Sequence, residues 1–409
     1  MVYNFFFPYH YPSGVSTLFK QLGQAIGDIE NEHVKLIDFR DGPMAYGLEA
    51  RSKVQFVEFK KDSAIVIGAG ETLVIQGQIP GNLPRQLKIH DDARIVEWQL
   101  HPHNFVPPPF PLIGHKDWWL QNPVLYEMFM RGLYKTKMKH ITEFVMLLSS
   151  RQSLFFYDHP ALHATERYLG CTVPNPIFLP VPIELPVTSR HVAWNSEDLH
   201  VAWIGRLYDF KIHILVRTIE RFIEYSVATG RTIVFHVVGD GPEARRLTRF
   251  GCETGGLKLI RYGDLPFSRM LDLLNERIHI VASMGTAALH GAASGLPVML
   301  LDLSYTEVSK DYRYRWLHDT QGFDLGHTIT NADCDSTRDS FVEMMTDLTS
   351  NYEQLARKSY LYVQQNHGVE TVTNRFLELT RRTDLCFRDV PAIYWKKTTI
   401  RQIYEFIRY

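Results

Sequence analysis

Arg206 and Lys211 stand five residues apart in the stretch LHVAWIGRLYDFK (199–211), directly after an apolar run and Gly205. Residues of these types at this spacing can do phosphate chemistry. An Arg guanidinium holds two phosphate oxygens at once, and a Lys ammonium adds a point charge. A diphosphate leaving group gains negative charge as its bond breaks, so two fixed cations stabilise that transition state more than the ground state. The bland alternative for the pair is a solvated loop carrying two surface cations. Two further stretches weigh against it. TIVFHVVGDGPEARRL (232–247) supplies Gly239 and Gly241, and IHIVASMGTAALHGAASGLPVMLLD (278–302) supplies Gly285.

The elements that would position these residues share one grammar: apolar strand, glycine turn, helix. Three such units in a row build a parallel sheet whose loops converge at one edge. The first half alternates in the same way. Strands are expected at 2–7, 34–39, 54–59, 64–67, 72–76, 94–100, 153–157 and 177–181, with helical spacing at 15–26, 125–148 and 160–169. Segment 180–198 carries three prolines and a polar end, which reads as a linker. Residues 355–378 read as one long helix or two. The expectation is an α/β protein of two domains with parallel sheets, whose ligand lies beyond the carboxyl ends of the strands.

Composition narrows the class. The 409 residues are 45% hydrophobic and 22% charged, with a formal net charge of −1. That is an ordinary globular balance with no global pull towards nucleic acid or acidic lipid. Four cysteines (Cys171, Cys252, Cys334, Cys386) are scattered without a Cys-x-x-Cys pair, which suits a reducing compartment and argues against a zinc or disulfide framework. The N-terminus has no basic n-region and no small-residue cleavage site, and no apolar run reaches the roughly 18 residues of a bilayer span. The expected location is the cytoplasm, with peripheral contact on the inner face of a membrane as an option.

GRLYDFK resembles the G-R-L-x-x-x-K stretch of GT-B glycosyltransferases, the GT4-like group in particular. PSGVSTLFKQLG (12–23) resembles that family's N-terminal glycine turn and first helix. HVVGDGPEARRL (236–247) resembles its V-V-G-D-G-P-E segment, and ASGLPVMLLD (293–302) its G-L-P-V strand. The motifs occur in family order over about residues 1–385. The resemblance implies the GT-B architecture: two Rossmann-like domains facing across a cleft, with the last helix crossing back to the first domain. The domains would be 1–184 (acceptor side), a linker 185–198, 199–388 (donor side) and a helix 389–409 packed on the first domain. Arg206 and Lys211 would bind the diphosphate of a nucleotide-sugar beside Gly205. The turn at Gly239 and Gly241 would lie near the nucleotide. The N–H groups of Gly285, Thr286 and Ala287 would offer a helix N-terminus to phosphate. Gly14 would let the first domain's backbone approach the same donor. For the glycines, plain turn formation is the alternative.

His101 resembles the family's N-domain histidine, which faces the donor sugar and can hydrogen-bond it or shift a proton. His103 and His10 are weaker candidates, and with 18 histidines in the chain a loop histidine is the plain alternative. The family's two glutamates are substituted: aligned on the G-L-P-V strand, they fall on Ala282 and His290. His290 can still hydrogen-bond a ribose. Segment 106–140 mixes Phe110, Trp118, Trp119, Tyr126 and Phe129 with Arg131, Lys135, Lys137 and Lys139. It reads either as core aromatics beside a solvated basic turn or as a surface for a lipid interface or a lipid-linked acceptor. Trp395, Lys396 and Lys397 in the tail invite the same two readings. Segment 312–326 reads as a wall of the donor pocket or as a structured surface loop.

The function implied is metal-independent transfer of a sugar from a nucleotide diphosphate to a hydroxyl of a glycan or lipid-linked glycan in bacterial-type surface polysaccharide synthesis. The nucleotide-sugar is the substrate, no cofactor is expected, and nucleic acid is not a partner. The alternatives are a non-catalytic GT-B subunit that binds glycan or a partner enzyme, and an enzyme like the sugar-nucleotide 2-epimerases.

Overall fold

The computed structural model describes the chain except residues 12, 47, 49–52, 61, 79–81, 103, 106–127, 129–131, 133–134, 187–197, 335–339 and 396–409. His103, the aromatic part of segment 106–140, most of the expected linker and the tail from Lys396 therefore lie outside the described residues. The chain forms two compact units, one of Met1–Pro182 with the chain from Val369 on, the other of Ile183–Gly368.

In the first unit the order is β1 (Val2–Phe6), α1 (Gly14–Gly27), β2 (His33–Asp38), β3 (Val54–Glu58), β4 (Ile65–Ile67), β5 (Thr72–Gln76), β6 (Leu87–Ile89), β7 (Arg94–Gln99), α2 (Lys135–Ser150), β8 (Leu154–Phe156), α3 (His159–Leu169) and β9 (Ile177–Phe178). The second unit holds β10 (Leu199–Ile204), α4 (Asp209–Thr229), β11 (Ile233–Val238), β12 (Glu253–Thr254), β13 (Leu257–Gly263), α5 (Phe267–Glu276), β14 (Ile280–Ser283), α6 (Thr286–Ala293), β15 (Val298–Leu300), β16 (Arg315–Trp316) and α7 (Phe341–Asn366). Helix α8 (Val369–Arg382) then returns to the first unit.

The first sheet runs β3-β2-β1-β5-β7-β8-β9, all parallel, with β4 and β6 paired apart from it. The second runs β12-β13-β11-β10-β14-β15-β16; its inner pairs are parallel and its two edge strands antiparallel. Both sheets are doubly wound, because helices cover both faces. Alternation along the strands feeds one residue in two to each face. Leu199, Val201 and Trp203 of β10 and Ile233, Phe235 and Val237 of β11 thus share a core with Ile212, Leu215, Ile219 and Phe222 of α4. On the opposite face α6 comes so close that a Cβ on Gly291 would sit 2.7 Å from a Val281 methyl.

That opposite face also carries a histidine chain. Tyr262 Oη lies 2.9 Å from His236 Nδ1, and His236 Nε2 lies 2.9 Å from His200 Nδ1. His279 Nδ1 accepts the His200 backbone N–H at 3.1 Å. Burial first, and then neighbouring positive charge, press both His236 and His279 down to about 4.

Three expectations need correction. The second unit closes at Gly368, not at 388, because α8 buries Val372, Phe376 and Leu377 in the first unit. The Phe376 ring packs 5.3 Å from Tyr3 and 5.7 Å from Phe5. The helix expected after the Gly-Asp-Gly-Pro turn is a 3-10 helix, Ala244–Phe250. The long segment before α8 is helical from Phe341, with a break in helical geometry at Asn351 (φ −132°, ψ 28°).

Candidate functional site

In the second sheet the parallel strands run outward from β10 in both directions, β11 and β13 on one side, β14 and β15 on the other. The winding reverses between β10 and β14, and open α/β sheets bind ligands beyond the carboxyl ends of such a strand pair. Ser283 Oγ donates to the Ile204 carbonyl at 2.7 Å, tying the two strand ends together. The connection after β10 carries Gly205 and Arg206, and the one after β14 is just Met284 and Gly285.

The loop after β10 is held by the loop after β11. Gly205 N–H donates to Val238 O (3.0 Å), Leu207 N–H to Asp240 O (2.9 Å) and Glu243 N–H to Leu207 O (3.1 Å). This lacing needs close backbone approach. A Cβ on Gly239, which has φ +124°, would overlap the Gly205 carbonyl, and one on Gly241 would overlap the Leu207 carbonyl. Packing thus accounts for both glycines: they fix the loop that carries Arg206.

Arg206 is exposed at the head of that loop, and Lys211 is half-buried in the first turn of α4. The Lys211 ammonium lies against the Gly205 backbone, 3.7 Å from where a Cβ there would stand, and 5.7 Å from the Phe210 ring centroid. Among the described residues neither cation has a hydrogen-bond or ion-pair partner. Other basic residues nearby are matched: Arg217 pairs with Glu220 and Glu224, and Arg246 with Glu243. Burial first, and then the charge of Arg206, hold the Lys211 ammonium below its usual range. Two adjacent cations without a counter-ion form a site short of negative charge.

Helix α6 begins from Gly285 at φ +64°, a conformation that favours glycine. Its N–H, expected from the sequence to face phosphate, is instead used up, because it donates to the Leu325 carbonyl at 2.7 Å. The N–H groups of Thr286 and Ala287 have no partner among the described residues, leaving two donors at the positive end of the helix. His290 lies one turn further on. Burial presses its imidazole down to about 4, so the ring is neutral at physiological pH. Phe267, 55% exposed at the start of α5, packs edge-on against it at 4.9 Å. Sequence reasoning passed over Phe267, whose only signal is an apolar residue placed outside its helix's buried face. Ala282 lies inside β14, wholly buried in the core with Trp203 and Met299.

The remaining candidates belong to the first unit. Gly14 opens α1 behind the Ser13 cap, whose Oγ accepts Ser16 N–H, and nothing lies within 4 Å of where its Cβ would stand. His101 is exposed, and its N–H and that of Leu100 donate to Asn104 Oδ1 at 2.9 and 3.0 Å. His10 stacks on Phe39 at 3.9 Å and bonds Asp41 at 3.0 Å. His10 and His101 sit in loops after β1 and β7, and Gly14 at the helix start that follows the loop after β1.

Segment 312–326 is tightly structured. Tyr314 and Trp316 enter the core, and Arg315 between them forks onto Asp302 and reaches Asp324 at 2.9 Å. His327 bonds Asp324 at 2.7 Å and Asp333 at 3.0 Å. Burial alone would lower the His327 pKa, but these carboxylates and Asp302 raise it to about 10. Burial would likewise raise Asp324, but His327 and Arg315 carry it below the usual range. Asp302, Asp324 and His327 converge closely enough for a cation. The Arg315 guanidinium already supplies the positive charge there, so the cluster is a charge-compensated network.

No family model and no curated protein matches this sequence. Solved structures do match in fold. A glycosyltransferase from Rickettsia africae ESF-5 aligns over 93% of this chain and 98% of its own at 9% identity, with a TM-score of 0.55. The lipopolysaccharide outer core galactosyltransferase WaaB, in its apo form, aligns over 93% and 99% at 10% identity and TM-score 0.51. The N-terminal domain of a Candida albicans trehalose-6-phosphate phosphatase aligns over 94% and 97% at 12% identity and TM-score 0.51. With two doubly wound units and likeness along almost the whole chain, the protein has the GT-B fold of glycosyltransferases.

Proposed function

We propose that the protein is a glycosyltransferase that takes a sugar from a nucleotide diphosphate and passes it to a hydroxyl of a glycan or lipid-linked glycan. The observation that carries this reading is the pair Arg206 and Lys211, without a counter-ion among the described residues, after β10 at the switch point of the second sheet. There the amides of Thr286 and Ala287, after the neighbouring β14, likewise have no described partner. A diphosphate supplies the missing negative charge. It gains still more as the sugar leaves, so the same groups bind the donor and speed its cleavage. Neutral His290 offers one donor and one acceptor to a ribose hydroxyl pair, and Phe267 walls that side. Within the first unit, Gly14 has open space around its backbone and His101 is exposed, which leaves both as candidates for contact with a sugar. The reaction needs no metal in this scheme, because side-chain cations and helix amides neutralise the leaving group. WaaB is a galactosyltransferase of lipopolysaccharide outer core; by analogy the acceptor here is a growing surface glycan, handled by a GT4-like enzyme on the cytoplasmic side of a bacterial membrane.

The test is nucleoside diphosphate release by the purified protein over a panel of UDP, GDP, ADP and dTDP sugars with glycan acceptors. Arg206→Ala and Lys211→Ala are each expected to lower turnover at least a hundredfold, since oxyanion-type donors contribute about 10²–10³. Turnover that survives both substitutions would sink the site assignment. A second reading is a GT-B subunit that binds without catalysing. The core position of Ala282 and the neutral ring of His290 favour it, since no carboxylate stands at either place. No binding to any nucleotide of the panel would select it, and tight nucleotide binding would count against it.

A further inference from the structure

We propose that the network of Asp302, Arg315, Asp324, His327 and Asp333 is a positioning bracket that fixes both halves of the anion site, the Gly285 turn and the start of α4. The proposal rests on the reading of that site as a diphosphate site and adds the residues that give it its shape.

The bracket stands on the exit of β15. Leu301 N–H donates to Ser283 O at 2.9 Å, so this exit is pinned to the end of β14. From there it reaches in two directions. Towards the cations, Ser304 N–H donates to the Phe210 carbonyl at 2.9 Å, one residue before Lys211. Towards the amides, the chain from Asp324 to His327 lies alongside. Leu303 N–H donates to His327 O (2.8 Å), Ile329 N–H to Leu303 O (2.9 Å), and Leu325 O accepts Gly285 N–H (2.7 Å). Gly326 has φ +112°, and a Cβ there would stand 2.6 Å from Leu301 O and 3.1 Å from Met284 Cβ. The Leu325 carbonyl can therefore hold one position only if this chain lies tight against the strand exit.

The charged side chains hold it there. Asp324 accepts from Gly326 N–H (2.8 Å), Arg315 (2.9 Å) and His327 (2.7 Å). Asp302 accepts from Arg315, from Tyr312 Oη (3.0 Å) and from His327 N–H (3.0 Å). Asp333 accepts from His327 Nε2 (3.0 Å), Thr330 N–H (2.5 Å) and Thr330 Oγ1 (2.9 Å). A satisfied buried network of this kind fixes geometry, because every displacement breaks several charge-assisted bonds at once. What it fixes is the one hydrogen bond that uses up Gly285 N–H. That bond sets Gly285 at its left-handed φ and leaves Thr286 and Ala287 as the donors offered to a ligand. None of these five side chains needs to touch the ligand, so they are positioning residues.

The experiment is site-resolved hydrogen exchange on the full-length protein and on the isosteric variant Asp324→Asn, paired with calorimetric titration of UDP, GDP, ADP and dTDP. Exchange at Gly285 N–H is expected to quicken at least tenfold in the variant, while Phe235 N–H in central β11 keeps its protection. The affinity for whichever nucleoside diphosphate binds the wild type is expected to fall at least tenfold. Unchanged protection at Gly285 overturns the proposal. So does an equal loss at Gly285 and Phe235, which would mark a general stability role, and so does unchanged nucleotide affinity. Arg315→Lys, which keeps the charge but not the fork, serves as the second variant if Asp324→Asn does not fold, with the same three readings. If no nucleoside diphosphate binds the wild type, the diphosphate reading fails by itself and the exchange comparison decides the bracket alone.

Discussion

Lys211 is an ammonium that burial and a neighbouring guanidinium both disfavour, with no described carboxylate to answer it. Strain of this kind at a binding site separates stability from function. Lys211→Met keeps the aliphatic stem and removes the charge. It is expected to raise the melting temperature of the ligand-free protein by about 2–4 °C, corresponding to about 1 kcal/mol, and to weaken nucleoside diphosphate binding by about 10–100-fold, the worth of a charged hydrogen bond. Calorimetry reads both, and a lysine with a merely structural role would show a lowered melting temperature and unchanged binding. Arg206 and Lys211 were legible in the sequence because a strand, a glycine and a helix start fit within thirteen residues (199–211). The fate of Gly285 N–H was not legible. Its acceptor, Leu325, comes far later in the chain and is held by side chains whose pairing no local pattern shows.

At the scale of elements, the second sheet keeps its switch point because α6 lies close on β14. Gly291 allows this, since a Cβ there already meets both Val281 methyls at 2.7 and 3.1 Å. Gly291→Val is expected to destabilise the second unit by about 1–3 kcal/mol through overpacking, read as an earlier chemical unfolding midpoint with unchanged slope. The three strand–glycine–helix units could be read from apolar runs and glycines, which is why β10, β11 and β14 fall where the sequence placed them. Their partners could not. An edge strand of two residues such as β16 has no periodicity to detect. The amphipathic face of α8 also looks the same whichever unit it packs on, and that cost the expected boundary at 388.

Across the whole molecule, opposite pKa shifts in the second unit bound its stable range. His236 and His279 titrate at about 4 when folded but near 6.5 when unfolded. The unfolded chain therefore takes up protons first on acidification, and stability declines as pH falls from about 6.5 towards 4. His327 is raised to about 10, so its contribution is complete below the unfolded value and is lost as pH rises through about 10. Urea unfolding of the second unit is expected to show a stability maximum near pH 6.5, falling on the acid side towards pH 4 and on the alkaline side towards pH 10. His279→Gln should flatten the acid limb, and an acid limb unchanged in that variant would show that other groups set it.

The path of the chain carries one more consequence. The first unit is interrupted after Pro182 and resumes at Val369, and Ile183 N–H donates to His367 O at 2.7 Å where the two passages meet. During synthesis the ribosome therefore delivers every residue of the inserted unit before the helix that completes the host. Until α8 emerges, Tyr3 and Phe5 lack the ring of Phe376 that covers them. The guest is thus complete on the nascent chain while the host still shows an open apolar face. The later-made unit finishes first, the reverse of the usual N-to-C order of domain folding.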